Sequence, residues 1–508
     1  MSYRLATPAR YSPAAPAVRA NLGRMADLRV DESTRPTPVF AAASILPIAA
    51  LTALAHCAAA LLGTGYWFDE VYMLAAGRHH LDWGSADQPP VTPALAALLD
   101  AAAPGSVFAM RLPAVVATAG AVVLAGLIAR ELGGDRRAQT LTAAAQATAL
   151  WTTLTGHWLT PYTLEPMQWL LIVWLLVRWI RVRHDRLLPA CGVAVGVAAM
   201  TKFQVVLLCA VLLVCVAVLG PRELLRRPAL WAGALIAAVI AAPTLLWQHA
   251  HGWPQLQMIT VVAGEADALY AGRAGIAVQL IVYAGVLGVV LGGYGAWQLL
   301  RVAQLRDYRF LLATAVLLYV LFVVTQGRPY YLAGLYAPIA AAGAIGLQRR
   351  RESGQPRRRW LGRSVVGLAV ATAVAILVLS VQITRSDVGE QIARETAQAY
   401  RALAGHQRDH TAVMGESYIV AAYLDGYATT YGLPAAYSPN RSYGYFDPPP
   451  DSVDSVLYVG SEPDAVRPYF TTVRTVGAVG DDMHIYLLTG RQQPWQSIWP
   501  RLRSLTVS

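Results

Sequence analysis

Several charged side chains stand out because they lie beside or within long apolar segments. They are Asp69, Glu70, Asp87, Glu165, Lys202 and Arg328. Carboxylates can serve as general acids or bases, and lysine or arginine can bind a phosphate. Lys202 is the only lysine of the chain, whereas arginine supplies every other strongly basic side chain. Because ionisable groups at membrane depth are energetically costly, their presence predicts a functional site.

The segments that must position these residues are apolar and long. The 508-residue chain is 56% hydrophobic and only 14% charged. Each apolar block approaches the ~20 residues that an α-helix needs to cross a ~30 Å hydrocarbon core. We therefore predict an α-helical polytopic membrane protein with about eleven transmembrane helices. The predicted spans cover residues 39–62, 108–130, 138–156, 160–180, 187–201, 203–219, 229–247, 276–300, 309–326, 330–347 and 364–384.

The basic residues cluster in alternate connections between these spans, and the net charge is +11. Such clustering is typical of cytoplasmic loops and places the N-terminus in the cytoplasm. With eleven spans, the C-terminal region and all six charged candidates lie on the external side. The basic run at 348–359 predicts a contact with anionic lipids of the membrane surface and not with nucleic acid. The predicted location is the inner (cytoplasmic) membrane of the cell, with multiple passes.

Three regions differ in composition. Residues 1–38 are rich in Ala, Pro and Arg and predict a disordered cytoplasmic tail. Residues 39–384 form the transmembrane domain, with an external loop at 63–107. Residues 385–508 predict a small external α/β accessory domain that binds the acceptor or supports folding. Its predicted strands are 411–416, 455–460 and 484–490, and its predicted helices are 387–405 and 417–432.

Asp69 and Glu70 fall in the first turn of a predicted interfacial helix that follows the first span. Negative charge is favourable there because of the helix dipole, so a purely capping role remains an alternative. A second polar cluster, "DQPP" with Asp87 and Gln88, follows about twenty residues later. Its position in the same external loop favours an active site over a cap.

Lys202 lies in "MTKFQ", between two short apolar segments, where it could bind a phosphate or extend to the membrane interface. Arg328 lies in "GRPYY", a turn in which an arginine beside Tyr330 and Tyr331 suits a phosphate or sugar pocket. A simple turn between spans is the alternative.

Glu165 lies early in the fourth predicted span and needs a partner or an aqueous cavity, since an unpaired buried carboxylate is costly. His157 and Tyr162 are the expected partners. His79 and His80 are predicted to be interfacial polar residues, because no third metal ligand is fixed near them. The residues require no cofactor, and a divalent metal is compatible with them but not indicated. The four cysteines all lie in predicted spans and predict buried thiols.

The order of several motifs resembles a known family. These motifs are "FDEVYMLAAGRHHLDWGSADQPPVTP", "RLPAV", "EPMQW", "MTKFQ", "LLWQHAHGWP" and "GRPYYLAGLYAP". They resemble the bacterial membrane glycosyltransferases related to protein O-mannosyltransferases and the lipid A aminoarabinose transferase. The resemblance spans most of residues 40–350, and "GESYIVAAYLDGYATTYGLPAAYSPNRSYGYF" is similar to the external domain of that bacterial group.

The resemblance implies the glycosyltransferase-C fold and a sugar donor carried on a lipid phosphate. It implies that Asp69 is the catalytic base with Glu70 beside it, and that Lys202 and Arg328 hold the donor phosphate, where Tyr330 and Tyr331 are expected to join them. Glu165 falls where relatives keep an acid near the acceptor or a metal, and Asp87, Gln88 and His157 are expected to support the acceptor. Two positions depart from the family pattern: Gln326 replaces a frequent lysine and Phe203 a frequent tyrosine.

The predicted activity is transfer of a sugar from a polyprenyl-phosphate donor to a hydroxyl of an envelope glycan, glycolipid or protein. One base opposite the leaving phosphate implies inversion, since phosphate leaves without an acid, unlike the sugar leaving group of a glycosidase. A transporter or flippase of lipid-linked sugars is the alternative, because it would use the same cations without a base. A non-catalytic assembly partner is a third interpretation.

Overall fold

The computed structural model of the protein describes residues 37–355 and 359–506. Helices fill most of residues 42–409, and a five-stranded sheet occupies the last hundred residues. The predicted disorder of residues 1–38 falls on a segment of which only the last two residues are described. Part of the predicted lipid contact at 348–359 also lies outside the described residues.

The helices follow the apolar blocks of the sequence. They are α1 (Ala42–Leu62), α2 (Phe68–His79), α3 (Val91–Ala102), α4 (Val107–Glu131), α5 (Arg136–Ala147), α6 (Leu150–Thr155), α7 (Pro161–Val182), α8 (Leu187–Ala199), α9 (Gln204–Leu219), α10 (Pro228–Ala250), α11 (Pro254–Gly264), α12 (Ala266–Tyr270), α13 (Gly272–Val282), α14 (Gly285–Arg301), α15 (Arg309–Val324), α16 (Tyr336–Glu352), α17 (Arg359–Thr384), α18 (Val388–Arg401), α19 (Gly405–Asp409), α20 (Tyr418–Gly426), α21 (Ala428–Tyr431) and α22 (Trp495–Leu502). The prediction of a mostly helical membrane protein is confirmed.

Fewer helices reach the length of a full span than the eleven predicted spans. In the described residues, six helices are long and apolar enough to cross a bilayer, or seven if α13 and α14, which meet at 89°, form one bent span. The predicted span 138–156 is divided into α5 and α6. Helices α8, with 13 residues, and α9, with 16, are each shorter than the ~20 residues of a typical span. The chain breaks between them around Lys202, which stands outside both helices.

Glycines let several of these helices approach closely. A Cβ atom on Gly192 of α8 would lie 2.1 Å from the carbonyl oxygen of Gly233 on α10. A Cβ atom on Gly295 of α14 would lie 1.9 Å from the carbonyl oxygen of Ile339 on α16. Small residues at such contacts favour helix association in a bilayer, where packing and not the hydrophobic effect holds helices together.

The two ends of the helical bundle carry different charges. Helix α4 starts near the acidic residues of α2 and, with 25 residues, extends about 37 Å to Glu131. Glu131 is buried and pairs with Arg178 and Arg181 from the end of α7. The opposite end of α7 carries Glu165. The polar candidates and the arginine-rich connections therefore lie at opposite ends of the same helices, as the alternation in the sequence predicts.

The C-terminal region contains one mixed sheet with strand order β2-β1-β3-β5-β4. The strands are β1 (Thr411–Gly415), β2 (Ala436–Tyr437), β3 (Ser455–Gly460), β4 (Phe470–Val479) and β5 (Met483–Arg491). Strands β2, β1 and β3 are parallel, and β5 is antiparallel to both β3 and β4. The small α/β domain is confirmed, and its three predicted strands are present. Strands β2 and β4 were not predicted.

The C-terminal region packs directly on the loop that follows α1. A Cβ atom on Gly426, at the end of α20, would lie 2.2 Å from Cγ2 of Val71 on α2. The guanidinium of Arg78 donates to the carbonyl oxygen of Asp425 at 3.1 Å and forms an ion pair of 2.6 Å with Asp100. Residues from Pro38 onward form one compact unit. This contact brings a loop of the C-terminal region, residues 438–446, next to α2.

Candidate active site

Asp69 lies in the first turn of α2, where the chain turns from α1 into the external loop. Trp67 is the N-cap residue, and its backbone N–H donates to Glu70 at 3.3 Å. The Tyr162 hydroxyl, from the first turn of α7, donates to Oδ2 of Asp69 at 3.1 Å. The indole N–H of Trp67 in turn donates to that hydroxyl at 2.7 Å. The cap and the tyrosine together fix the orientation of the Asp69 carboxylate.

The pKa of Asp69 is raised to about 6, mainly because the surrounding protein removes water from the carboxylate. The hydrogen bond from Tyr162 lowers this pKa, as do the positive charges of Arg328 and Arg441, whereas the negative charge of Asp87 raises it. A carboxylate with a pKa near the operating pH is well suited to general-base catalysis.

Glu70 does not face the same space as Asp69. Its side chain is completely buried, and Arg111 donates to both of its oxygens at 2.9 and 2.8 Å. Arg111 also donates to the carbonyl oxygens of Gly63 and Gly65 at the end of α1. Glu70 and Arg111 thus tie α1, α2 and α4 together. This geometry favours a positioning role for Glu70 over the predicted role as a catalytic carboxylate.

Lys202 and Glu165 form an ion pair inside the bundle. The ammonium nitrogen of Lys202 lies 3.4 Å from Oε2 of Glu165. It also lies 4.9 Å from the ring centre of Tyr330 and 4.4 Å from that of Tyr331. The break between α8 and α9 allows this contact, because it leaves Lys202 free of either helix. The predicted donor-binding residues Lys202, Tyr330 and Tyr331 are therefore neighbours.

Arg328 and Arg441 meet at one carboxylate. Arg328 follows α15 and pairs with Oε2 of Glu265, and Arg441 of the C-terminal loop pairs with Oε1 of the same residue. Glu265 connects α11 and α12. Arg328 also lies over the ring of Tyr270 at 5.5 Å. This group was not predicted as a whole, since only Arg328 was identified as a site residue.

A group of aromatic side chains connects Asp69 with Lys202. The ring of Trp151 stacks on Tyr330, with ring centres 4.2 Å apart and planes inclined by 9°. The ring of Tyr162 lies 5.1 Å from that of Tyr330 and 5.3 Å from that of Trp151. The hydroxyl that holds Asp69 therefore belongs to the same aromatic group that lies beside Lys202.

Asp87 connects the first external loop with the C-terminal loop. Its Oδ1 accepts hydrogen bonds from the Tyr72 hydroxyl at 2.8 Å and the Ser442 hydroxyl at 2.6 Å. The backbone of Gln88 closes a turn with Ser85, whose N–H donates to the Gln88 carbonyl oxygen at 2.9 Å. Asp87 thus lies between α2 and the loop that carries Arg441, and Gln88 closes the turn that contains Asp87.

The histidines occupy other places. His157 is buried and lies 3.3 Å from His56, measured between their Nδ1 atoms, so its recorded polar partner is not Glu165. His80 stacks on Phe446 of the C-terminal loop at 3.8 Å, and His79 lies 3.9 Å from Asp425. In the residues that the structure describes, no group of three or more His, Cys, Asp or Glu side chains could hold a metal ion.

Comparisons with known proteins identify the architecture. A sequence model described as dolichyl-phosphate-mannose-protein mannosyltransferase matches residues 87–247. ArnT from Cupriavidus metallidurans, bound to undecaprenyl phosphate, has a TM-score of 0.62 at 14% identity over 88% of this chain and 98% of that chain. The chain has the glycosyltransferase-C fold.

Two further structures agree with this assignment. ArnT in the apo state has a TM-score of 0.60 at 14% identity over 87% of this chain and 97% of its own. The archaeal oligosaccharyltransferase AglB from Archaeoglobus fulgidus, in complex with an inhibitory peptide and a dolichol-phosphate, has a TM-score of 0.50 at 12% identity. That match covers 84% of this chain and 70% of AglB. A comparison with curated protein sequences finds no match.

Within the glycosyltransferase-C fold, the sequence model covers Asp87, Glu165 and Lys202 but neither Asp69 nor Arg328. Contacts in the structure connect the two sets, since the Tyr162 hydroxyl bonds Asp69 and the Tyr162 ring lies beside Tyr330, which lies beside Lys202. Two residues that the sequence did not indicate, Glu265 and Arg441, form an ion pair with each other, and Glu265 also pairs with Arg328. The only signal for Arg441 was its place in the aromatic and proline-rich segment "SPNRSYGYFDPPPD".

Proposed function

We propose that this protein is a glycosyltransferase that transfers a sugar from a polyprenyl-phosphate-linked donor to an acceptor hydroxyl. The acceptor is an envelope glycan, a glycolipid or a protein on the external face of the cytoplasmic membrane. The observation that carries the proposal is the half-buried carboxylate of Asp69, which the Tyr162 hydroxyl holds beside Tyr330, the ring that also lies next to the cation Lys202.

Each part of the reaction has a matching group. Asp69 takes the proton of the acceptor hydroxyl, whose oxygen forms a bond to the anomeric carbon of the sugar. The bond from that carbon to the phosphate oxygen breaks, and polyprenyl monophosphate leaves. Lys202 and Arg328 stabilise the negative charge that develops on this phosphate, as fixed charges in a site shielded from water. Attack opposite the leaving phosphate inverts the anomeric configuration.

The relatives support a lipid-borne donor. The ArnT structure contains undecaprenyl phosphate and the AglB structure a dolichol-phosphate. A polyprenyl chain is apolar and requires contact with the hydrocarbon core, which the long apolar helices of this chain supply. We place the site at the external end of the bundle because the arginine-rich connections at the other end follow the charge pattern of cytoplasmic loops.

Purified full-length protein in proteoliposomes tests the proposal. The vesicles contain a defined polyprenyl-phosphate sugar, and acceptor hydroxyls are offered as glycan, lipid and peptide pools. Release of polyprenyl monophosphate together with a glycosylated acceptor is the expected result. Movement of the intact donor between leaflets without release of sugar would instead identify a flippase. A parallel assay with a chelator measures any need for a divalent metal.

A further inference from the structure

Glu265 occupies a position between two arginines from distant parts of the chain. Arg328 comes from the turn before α16, and Arg441 comes from the C-terminal loop. Each arginine pairs with a different oxygen of the Glu265 carboxylate. Two guanidinium groups that converge on neighbouring oxygens form the arrangement that binds phosphate well, because each can donate more than one hydrogen bond.

The Glu265 carboxylate does not satisfy all the hydrogen-bond donors of the two arginines. Nη1 of Arg328 and Nε of Arg441 are buried and have no hydrogen-bond partner among the described residues. The Arg441 side chain is only 7% exposed, whereas that of Glu265 is 25% exposed. Buried donors without acceptors are costly and require an explanation, and a bound anion is one that the convergence of two guanidinium groups favours. A phosphate offers more acceptor oxygens than a carboxylate and could satisfy them.

The loop that carries Arg441 is held in an unusual conformation. Arg441 has a φ of +52°, which is uncommon for a residue other than glycine. The neighbouring Asn440 fixes the loop, since its side chain accepts from the backbone N–H of Tyr418 at 2.6 Å and donates to the carbonyl oxygen of Glu416 at 3.0 Å. Ser442 donates to Asp87 at 2.6 Å. Backbone strain that the surroundings maintain is frequent at functional sites.

The two arginines act on the same space as the candidate base. Both guanidinium charges lower the pKa of Asp69, which requires that they lie near it. The positive charge of Arg328 also repels that of Lys202, so these two cations lie near each other as well. The Tyr330 ring lies 4.9 Å from the Lys202 ammonium and the turn that carries Tyr330 also carries Arg328, so an anion between Arg328 and Arg441 would lie next to the cation proposed for the donor phosphate.

We infer that Arg441 of the C-terminal region is a phosphate ligand, and that Glu265 holds the place of the phosphate until the ligand binds. The ligand is a phosphate group with an apolar polyprenyl chain. This inference rests on the proposed function and extends it, because it makes the C-terminal region part of the donor site. Donor binding must then displace the Glu265 carboxylate from both arginines.

Binding of undecaprenyl phosphate to the full-length protein in nanodiscs tests the inference. We expect Arg441→Gln to weaken this binding about tenfold or more, as for the loss of charge-assisted hydrogen bonds. Arg474→Gln is the matched control, because Arg474 is an exposed arginine on β4 of the same region. Glu265→Gln removes the competing negative charge and should strengthen binding several-fold. A damaged fold cannot produce such a gain.

The other outcomes also decide the question. Unchanged undecaprenyl phosphate binding in Arg441→Gln together with no gain in Glu265→Gln would overturn the inference. Inorganic phosphate is the second probe: if Arg441→Gln weakens its binding but not that of the lipid, the site serves free phosphate and the donor assignment is wrong. Sugar transfer by the wild-type protein is measured separately. Transfer with an unaltered donor KM in Arg441→Gln would overturn this inference and leave the proposed function standing.

Discussion

The Tyr162 hydroxyl donates to Oδ2 of Asp69 at 3.1 Å and accepts from the Trp67 indole at 2.7 Å. Trp67 and Asp69 are two residues apart at the start of α2, whereas Tyr162 lies in the first turn of α7. One hydroxyl thus links the start of α2 with a transmembrane helix. Oδ1 of Asp69 makes no hydrogen bond within the part of the chain that the structure describes. In the proposed reaction this oxygen takes the proton of the acceptor hydroxyl.

The activity should depend on pH through Asp69. The carboxylate acts as a base only when ionised, and its pKa is raised to about 6 by burial. We therefore expect the transfer rate to be constant above about pH 7 and to fall about tenfold per pH unit well below pH 6. Rates measured with saturating donor from pH 4.5 to 8.5 test this. Donor binding over the same range is the control, and a rate that stays constant down to pH 5 would contradict the assignment.

Tyr162→Phe should move this pH dependence. The hydrogen bond from Tyr162 stabilises the ionised carboxylate, so its loss raises the pKa of Asp69 further. We expect the acid limb to shift upward by about one pH unit, which corresponds to ~1.4 kcal/mol. Tyr319→Phe is the matched control, because its hydroxyl donates to the carbonyl oxygen of Ala277 on α13, away from Asp69. An acid limb that stays in place would show that Tyr162 does not act through Asp69.

Asp69→Asn should remove the base while keeping the size of the side chain. We expect the rate to fall by roughly 10²–10⁴-fold, the usual contribution of a general base. Expression and undecaprenyl phosphate binding should be retained. Asp481→Asn, on the exposed turn between β4 and β5, is the control. Near-normal turnover by Asp69→Asn would remove the base assignment, and full activity of a complex carrying it would favour a non-catalytic assembly partner.

The end of the bundle that carries the candidate site could be predicted from the sequence, because apolar length and charge pattern indicate membrane topology. Asp69 and Lys202 fall in different connections and Glu165 at the start of a span, yet the alternation of the spans assigns all three to one end. The structure brings them together as expected. The number of full-length spans was overestimated, since the two helices on either side of Lys202 are each shorter than a typical span.

Pairings between distant segments could not be predicted in this way. Glu70 looked like a second catalytic acid because its partner, Arg111, is 41 residues away on α4. Arg441 reaches Glu265 across 176 residues only because the C-terminal region docks on α2. Neither contact leaves a periodic trace in the sequence. His157 was expected beside Glu165, but a close approach of α1 and the turn before α7 places it beside His56.

Strand β4 was missed for a local reason. Its sequence, "FTTVRTVGAV", carries threonines and an arginine at exposed positions and a glycine within a register shift. An edge strand buries few apolar side chains, and charged or polar residues protect it from pairing with other chains. The pattern therefore lacks the continuous apolar run that identified β1 and β3.

Lys202→Ala should weaken donor binding more than acceptor binding. Lys202 lies 3.4 Å from Glu165 and over Tyr330 and Tyr331, on the side of the site proposed for the phosphate. Loss of this charge should raise the donor KM about tenfold or more, as for other hydrogen bonds to charged groups. Acceptor KM, measured at saturating donor, is the internal control. The double variant Lys202→Ala, Glu165→Gln separates loss of the cation from exposure of an unpaired Glu165, and an unchanged donor KM in both variants would contradict the role.

Glu70→Gln should lower the stability of the fold, and any loss of transfer activity should follow from that. The ion pair with Arg111 is fully buried, and breaking one partner of such a pair costs about 3–5 kcal/mol. The double variant Glu70→Gln, Arg111→Met should recover part of this stability, because it no longer buries an unpaired charge. The recovery is partial because Arg111 also donates to the carbonyl oxygens of Gly63 and Gly65. Unfolding midpoints in detergent provide the measurement. Arg306→Gln, from an exposed pair with Asp307, should change the midpoint little. A Glu70→Gln variant with wild-type stability and lost transfer would restore Glu70 as a catalytic residue.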